Sequence, residues 1–251
     1  MSGVRSDAGR SVMLKQRIKE WWSPPSEAER ARLALEQRFA GVSFGTDIQI
    51  IGLDSLEIGK GSCVSDHVWI NDCVRDGSKR LVLGKYVLIG RSSMISTAGR
   101  LEIGDFCLLG PGVYVSDADH VFEDPFQPFI QQGATMGRAV TVEENCWIGM
   151  HAKIFGNLTV GRGSVIAGGA TVRESVPPFS VIVGSPGRIV KMYDFEACAW
   201  VATRDEEDVA AMLRRRESTP APDRSDYRER LHRNYRVGNL DPLLAGASRS
   251  V

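Results

Sequence analysis

The chain has 251 residues, enough for one large domain or two small ones. It is 43% hydrophobic and 25% charged, an ordinary balance for a soluble globular protein with a buried core. Its 31 Lys and Arg offset 31 Asp and Glu, so the basic excess expected of a general nucleic-acid binder is missing. No window supplies the roughly 18 apolar residues of a membrane span. Arg5 and Arg10 are followed by no apolar core, so no secretory leader is expected. The five cysteines are odd in number and show no CxxC spacing, which points to free thiols in a reducing cytoplasm.

In chain order, residues 1–46 read as an N-terminal helical segment. Ser23-Pro24-Pro25 separates an early stretch, Val12 to Trp22, from a helix opened by the capping box Ser26-x-x-Glu29. Ala31, Leu35 and Phe39 follow at helical spacing, and Gly41 is the expected stop.

Residues 47–192 carry an internal repeat. Ile58, Val64 and Ile70 are six residues apart, as are Leu83, Ile89 and Ile95, and Ile103, Leu109 and Val115. Val142, Ile148, Ile154, Val160, Ile166 and Val172 then run without a break. Glycine often comes next, as at Gly59, Gly84, Gly90, Gly104, Gly110, Gly149 and Gly161, where a positive φ is expected. Four residues after the aliphatic stands a compact one, such as Ser62, Ser93, Cys107, Cys146, Ala152, Ser164 or Ala170, suited to a narrow core. Neither the 2.0 period of a strand nor the 3.6 period of a helix produces this pattern.

The register slips three times: between Ile70 and Leu83, between Ile95 and Ile103, and between Val115 and Val142. Asp76-Gly77 and Ala98-Gly99 read as turns in the first two gaps. The third gap is a long insertion, 117–139, whose Phe122, Phe126 and Phe129 are expected to pack. Solenoids often place such insertions on a binding face. Residues 193–251 read as a C-terminal helical extension and tail. Phe195 to Arg216 is predicted helical, acidic at Asp205–Asp208 and basic at Arg214–Arg216 in keeping with the helix dipole, the arginines solvated at its end. The tail after Arg236 is expected to be loosely ordered.

The pattern [Ile/Leu/Val]-Gly-x-x-[small]-x over about residues 48–190 resembles the hexapeptide-repeat acyltransferases. The resemblance implies a mainly β fold, a left-handed parallel β-helix with N-terminal helices and the C-terminal extension. Asp117-Ala118-Asp119-His120, Asp124-Pro125 and Gln131-Gln132-Gly133 are similar to a segment of sugar and polysaccharide O-acetyltransferases of the maltose, galactoside and colanic acid type. His120 matches that group's catalytic histidine, and Ala118 replaces its other histidine. Transfer of an acetyl group to a hydroxyl needs a base, and imidazole has a suitable pKa near 6.5. Asp117, Asp119 and Glu123 are the carboxylates that could orient it. The resemblance implies acetyl-CoA as co-substrate, direct transfer without an acyl-enzyme, and a homotrimer with active sites between subunits.

Trp147-Ile148-Gly149, Ile166-Ala167-Gly168-Gly169-Ala170 and Gly184-Ser185-Pro186-Gly187-Arg188 match the family's closing coils. By that match Trp147 walls the active site, backbone near Met150, Ala167 and Gly168 meets the pantetheine arm, and Arg173, Arg188 and Lys191 lie near the CoA nucleotide. Guanidinium and ammonium groups suit phosphates. His67 and His151 lack a third histidine at metal-ligand spacing, so no metal is expected; His151 is read as a coil residue near the groove. The family's acceptor-holding Asn and Asp are missing from Gly90–Ser96, which leaves the acceptor open; the resemblance of the His120 segment implies a hydroxyl of a sugar or surface-polysaccharide unit. An N-acetyltransferase of an amino sugar nucleotide and an inactive β-helix binding subunit are the alternatives.

Overall fold

The computed structural model describes residues 25–235. The early stretch Val12 to Trp22 and the tail after Arg236 lie outside the described residues. The first element, α1 (Glu27–Arg38), opens on the expected capping box: Ser26 and Glu29 exchange side chain to backbone hydrogen bonds. Phe39 caps its C-terminus, and Gly41 takes a φ of 83°.

Three short strands then repeat in each coil. The first coil holds β1 (Ser43–Phe44), β2 (Gln49–Ile51) and β3 (Leu56–Ile58). The second holds β4 (Cys63–Val64), β5 (Trp69–Asp72) and β6 (Leu81–Leu83); the third β7 (Leu88–Ile89), β8 (Met94–Thr97) and β9 (Arg100–Ile103). The fourth has β10 (Leu108–Leu109) and β11 (Tyr114–Ser116), then the insertion with its one-turn helix α2 (Phe129–Gln132), then β12 (Ala139–Val142). The fifth holds β13 (Trp147–Ile148), β14 (Lys153–Phe155) and β15 (Leu158–Val160). The sixth has β16 (Val165–Ile166) and β17 (Thr171–Val172), with a bridge from Val160 to Val176 in place of a third strand.

Equivalent strands stack in parallel. Sheet A runs β1-β4-β7-β10-β13-β16, sheet B β2-β5-β8-β11-β14-β17, and sheet C β3-β6-β9-β12-β15. This is the left-handed parallel β-helix that the resemblance implied. The periodic aliphatics form its core. Val64, Ile89, Leu109, Ile148 and Ile166 stack in register within sheet A, none more than 1% exposed. At the corners, buried Ser62, Ser93 and Ser164 donate to the carbonyls of Gly84, Gly110 and Pro177 and accept the N–H groups of Val87, Val113 and Ser180. Their small size fits the narrow core, and their hydroxyls satisfy corner backbone that would otherwise be buried unpaired.

One expectation about the corners is corrected. The glycines after the inward aliphatics do not take a positive φ. A Cβ on Gly149 would lie 2.5 Å from the backbone N of Gly168 in the next coil, so close approach is what selects glycine. Positive φ falls two residues later, and mostly on residues with side chains: Asp47, His67, Ser92 and His151 at the A–B corner, and Tyr86, Phe106, Asn145 and Phe179 at the C–A corner.

All three register slips open at the remaining corner, between sheets B and C. Ile70, Ile95 and Val115 are neighbours in sheet B, and Leu83, Ile103 and Val142 are neighbours in sheet C. Insertions at one corner leave the stacking of both sheets intact.

The solenoid ends on β18 (Ser180–Val183), which continues sheet A in parallel, followed by β19 (Arg188–Asp194) and β20 (Ala199–Ala202), which turn back antiparallel. The helix predicted from Phe195 is therefore wrong at its start. Asp194 accepts the N–H groups of Glu196 and Ala197, closing a turn, and Ala199–Ala202 pairs with β19 instead. An unpaired sheet edge outweighs local helix preference here. The helix α3 (Glu206–Ser218) begins where Asp205 caps it. Its arginines are not simply solvated. Arg215 pairs with the buried carboxylate of Asp194 at 2.9 Å, and Arg216 donates to the carbonyls of Pro178, Phe179 and Tyr193.

The last element, α4 (Arg224–Asn234), runs along the C–A corner, back down the coils. Tyr227 meets Phe179 and Asn145, and Arg224 meets Glu144 at 2.7 Å. Arg228 meets Asp105, His232 packs on Phe106, and Tyr235 packs on Tyr86. A helix rises about 5.4 Å per turn, and stacked strands lie about 4.8 Å apart. Each turn of α4 therefore falls near one coil. No helix among the described residues is long and apolar enough to cross a membrane.

Glu144 is 2% exposed and depends on this strap for its cation. Arg224→Ala should lower stability in urea by about 1.5–3 kcal/mol, the usual value of a charged hydrogen bond, whereas Arg214→Ala on the exposed face of α3 should stay within about 0.5 kcal/mol. Cys73 and Cys198 are exposed, while Cys107 and Cys146 are buried and burial pushes the Cys107 thiol well up. A thiol reagent should label Cys73 and Cys198 in the native protein, and Cys107 and Cys146 only on unfolding.

Candidate functional site

The insertion leaves sheet B after β11 and folds as an arm. Asp119 and Thr135 pair at its base: the Asp119 N–H donates to the Thr135 hydroxyl at 3.1 Å, and the Thr135 N–H donates to the Asp119 carbonyl at 2.8 Å. His120 forms an antiparallel bridge with Ala134, and the Val121 N–H reaches the Gly133 carbonyl at 3.1 Å. Toward the tip, Gln132 accepts the Asp124 N–H and donates to the carbonyls of Asp124 and Gln127. Hydrogen bonds hold this segment, not the expected packing of its phenylalanines. Phe122, Phe126 and Phe129 are 66%, 96% and 56% exposed in the single chain.

His120 is exposed, and its imidazole has no hydrogen-bond partner among the described residues. The carboxylates named as its possible partners are engaged elsewhere. Asp117 is 1% exposed and accepts from the Thr97 hydroxyl and from the N–H groups of Ala98 and Gly99. Asp119 accepts the backbone N–H of His120, and Glu123 that of Phe122.

The cofactor residues expected from the sequence fall on two faces. Along the B–C corner, beyond the His120 arm, Phe155 of the fifth coil stands beside Ser116 in register, and the Arg173 guanidinium lies 5.1 Å from the Phe155 ring centre. Arg173 also borders a cavity of about 750 Å³, which it lines together with Arg188, Arg204, Pro186 and Glu206. That volume is in the range of small-molecule sites. Arg188 is exposed and forms no ion pair among the described residues. Phe155 escaped the sequence reading because only coil stacking places it between the arm and Arg173.

Trp147, Met150, Ala167 and Gly168 lie elsewhere, on the outer face of sheet A and the A–B corner. Trp147 is 54% exposed, in register with Leu108 and Val165. The Gly169 N–H donates to the Met150 carbonyl, and a Cβ on Gly168 would come within 3.3 Å of that oxygen. Lys191 joins this face, since it pairs with Val181, which continues the column from Trp147. It does not line the cavity that Arg173 and Arg188 border, although the sequence grouped the three. His151 shares the A–B corner, its ring lying over Gly112. Within one chain, the His120 edge and the Trp147 face are held apart by sheet B.

No protein-family model matches the chain. A probable acetyltransferase of Mycobacterium tuberculosis is 34% identical over 154 residues, covering 61% of this chain and 50% of that protein. The galactoside O-acetyltransferase of Escherichia coli is 33% identical over 91 residues, covering 36% of this chain and 43% of that enzyme. The chain thus spans about half the length of the curated relatives it matches. Among solved structures, AntD, an N-acyltransferase from Bacillus cereus in complex with dTDP and 3-hydroxybutyryl-CoA, superposes with a TM-score of 0.51 at 18% identity, over 75% of this chain and 96% of that one. The stacked coils and the similarity across them lead to one conclusion: the chain has the left-handed β-helix fold and is similar in sequence to acetyltransferases.

Proposed function

We propose that the chain transfers an acetyl group from acetyl-CoA to a saccharide hydroxyl, with His120 as general base. The observation that carries this reading is the setting of His120: an uncommitted, exposed imidazole on a hydrogen-bonded arm, at the edge that continues through Phe155 to Arg173. The galactoside O-acetyltransferase among its relatives favours a hydroxyl acceptor. His120 takes the hydroxyl proton as the oxygen attacks the thioester carbonyl. Backbone N–H groups of the coils stabilise the oxyanion, and the leaving thiolate of CoA recovers the proton from the imidazolium. No acyl-enzyme forms.

Arg173 and Arg188 hold the phosphates of the CoA nucleotide at the cavity that both line. Trp147, Met150, Ala167 and Gly168 flank the pantetheine arm on the face presented by a second copy, and Lys191 adds a cation to that face. A homotrimer brings the two faces together, with the apolar arm tip and the outer column Leu108, Trp147 and Val165 covered in the process. The five free thiols suit a reducing cytoplasm.

Thiol release from acetyl-CoA with a panel of saccharides tests this directly. His120→Ala should lower kcat by about a hundredfold to ten-thousandfold, the usual contribution of a positioned base; turnover near the normal rate would remove the base assignment. Arg188→Ala should raise KM for acetyl-CoA by about tenfold, the equivalent of a lost charged hydrogen bond, with kcat little changed. Acceleration by amino sugar nucleotides alone would identify an amine acceptor instead.

A further inference from the structure

The insertion has two ends, and both meet one turn of the third coil, residues 97–100. At the exit, the buried carboxylate of Asp117 accepts from the Thr97 hydroxyl at 2.6 Å, from the Ala98 N–H at 2.7 Å and from the Gly99 N–H at 3.1 Å. At the return, the Arg138 carbonyl accepts the Arg100 N–H at 3.1 Å and lies so near Gly99 that a Cβ there would come within 1.9 Å of its oxygen. Thr97 is fully buried, and its oxygen also accepts the Gly99 N–H at 3.2 Å.

From this anchor the ties reach His120 without a gap. Ser116 accepts the Ala118 N–H at 3.0 Å, and Asp119 is locked to Thr135 across the arm. His120 then bridges Ala134. Three donors on one buried carboxylate make a rigid joint, since charge-assisted bonds are short and strong and each donor left unpaired in the interior is costly.

We infer that the Thr97–Gly99 turn is a clamp that sets the position of the His120 arm, with Thr97, Gly99 and Asp117 as positioning residues for the transfer. Asp117 acts through the backbone of the arm and not through the imidazole. The inference rests on the reading of His120 as the base. A displacement of about 1 Å in a reacting group can cost on the order of a hundredfold in rate. A side-chain hydroxyl some distance from the chemistry therefore has kinetic leverage.

The test compares Thr97→Val, which removes the hydroxyl at nearly constant shape, with Thr97→Ser, which keeps it. Thr97→Val should lower kcat by about tenfold to a hundredfold, with KM for acetyl-CoA unchanged and the ascending limb of the pH–rate profile where the unmutated enzyme has it. Thr97→Ser should recover most of the rate. Hydrogen exchange should quicken in residues 118–136 of Thr97→Val and stay constant in the strands of the coils. Full activity in Thr97→Val, or exchange quickened evenly throughout the coils, would overturn the clamp. A shifted pH limb in Asp117→Asn together with full activity in Thr97→Val would make Asp117 a direct partner of the imidazole and overturn it also. Normal turnover in His120→Ala would remove the base assignment alone, because exchange in the arm reports on the clamp without reference to the reaction.

Discussion

Where two coils meet at a corner, the backbones approach so closely that one added carbon has no room. A Cβ on Gly59, Gly90 or Gly149 would lie 2.5–2.6 Å from backbone atoms of the coil above. This contact sets the stacking of all the sheets. It holds the parallel strands in hydrogen-bonding reach, stacks the inward aliphatics directly on one another, and leaves at the corners only a space for serine, cysteine, alanine or valine. A buried serine is then useful twice, for its size and for the backbone groups it satisfies.

That constraint governs where the chain can depart from regularity. An insertion at the A–B or C–A corner would have to pass through a stack of residues in left-handed conformation, each bonded to the coil before it. The B–C corner is where the spacing varies, and every departure is made there. The arm with His120 is the largest of them. It begins and ends on a turn made possible by an earlier, smaller departure at Ala98-Gly99, so the irregularities support one another.

The C-terminal extension follows the same geometry from outside. Arg216 gathers three carbonyls at the end of the solenoid, and α4 then descends one turn per coil. Tyr86, Phe106 and Asn145 carry side chains at the left-handed corner positions, where glycine would be easier on the backbone. Those side chains are the surface on which Tyr227, His232 and Tyr235 pack. Backbone strain at this corner is therefore offset by contacts with the strap.

The sequence by itself determined the repeat, the inward residues, the places where the period fails, and the helix that begins at Ser26. All of these are local or strictly periodic, and a six-residue spacing can be read without knowing what stacks on what. It also singled out His120, from the boundary of the longest interruption and the residues around it. Only the tertiary structure decided why glycine follows the aliphatics, because the atoms that exclude a side chain belong to the next coil. The same holds for Asp117, whose three donors come from residues 97–99. It holds for Phe155, for the division of the expected cofactor residues between two faces, and for Ala199–Ala202, which an open sheet edge turned into a strand. The closing strand depends on its antiparallel neighbour β19; the others depend on residues one coil away, and the variable B–C interruptions mean that no single spacing along the whole chain reports which residues those are.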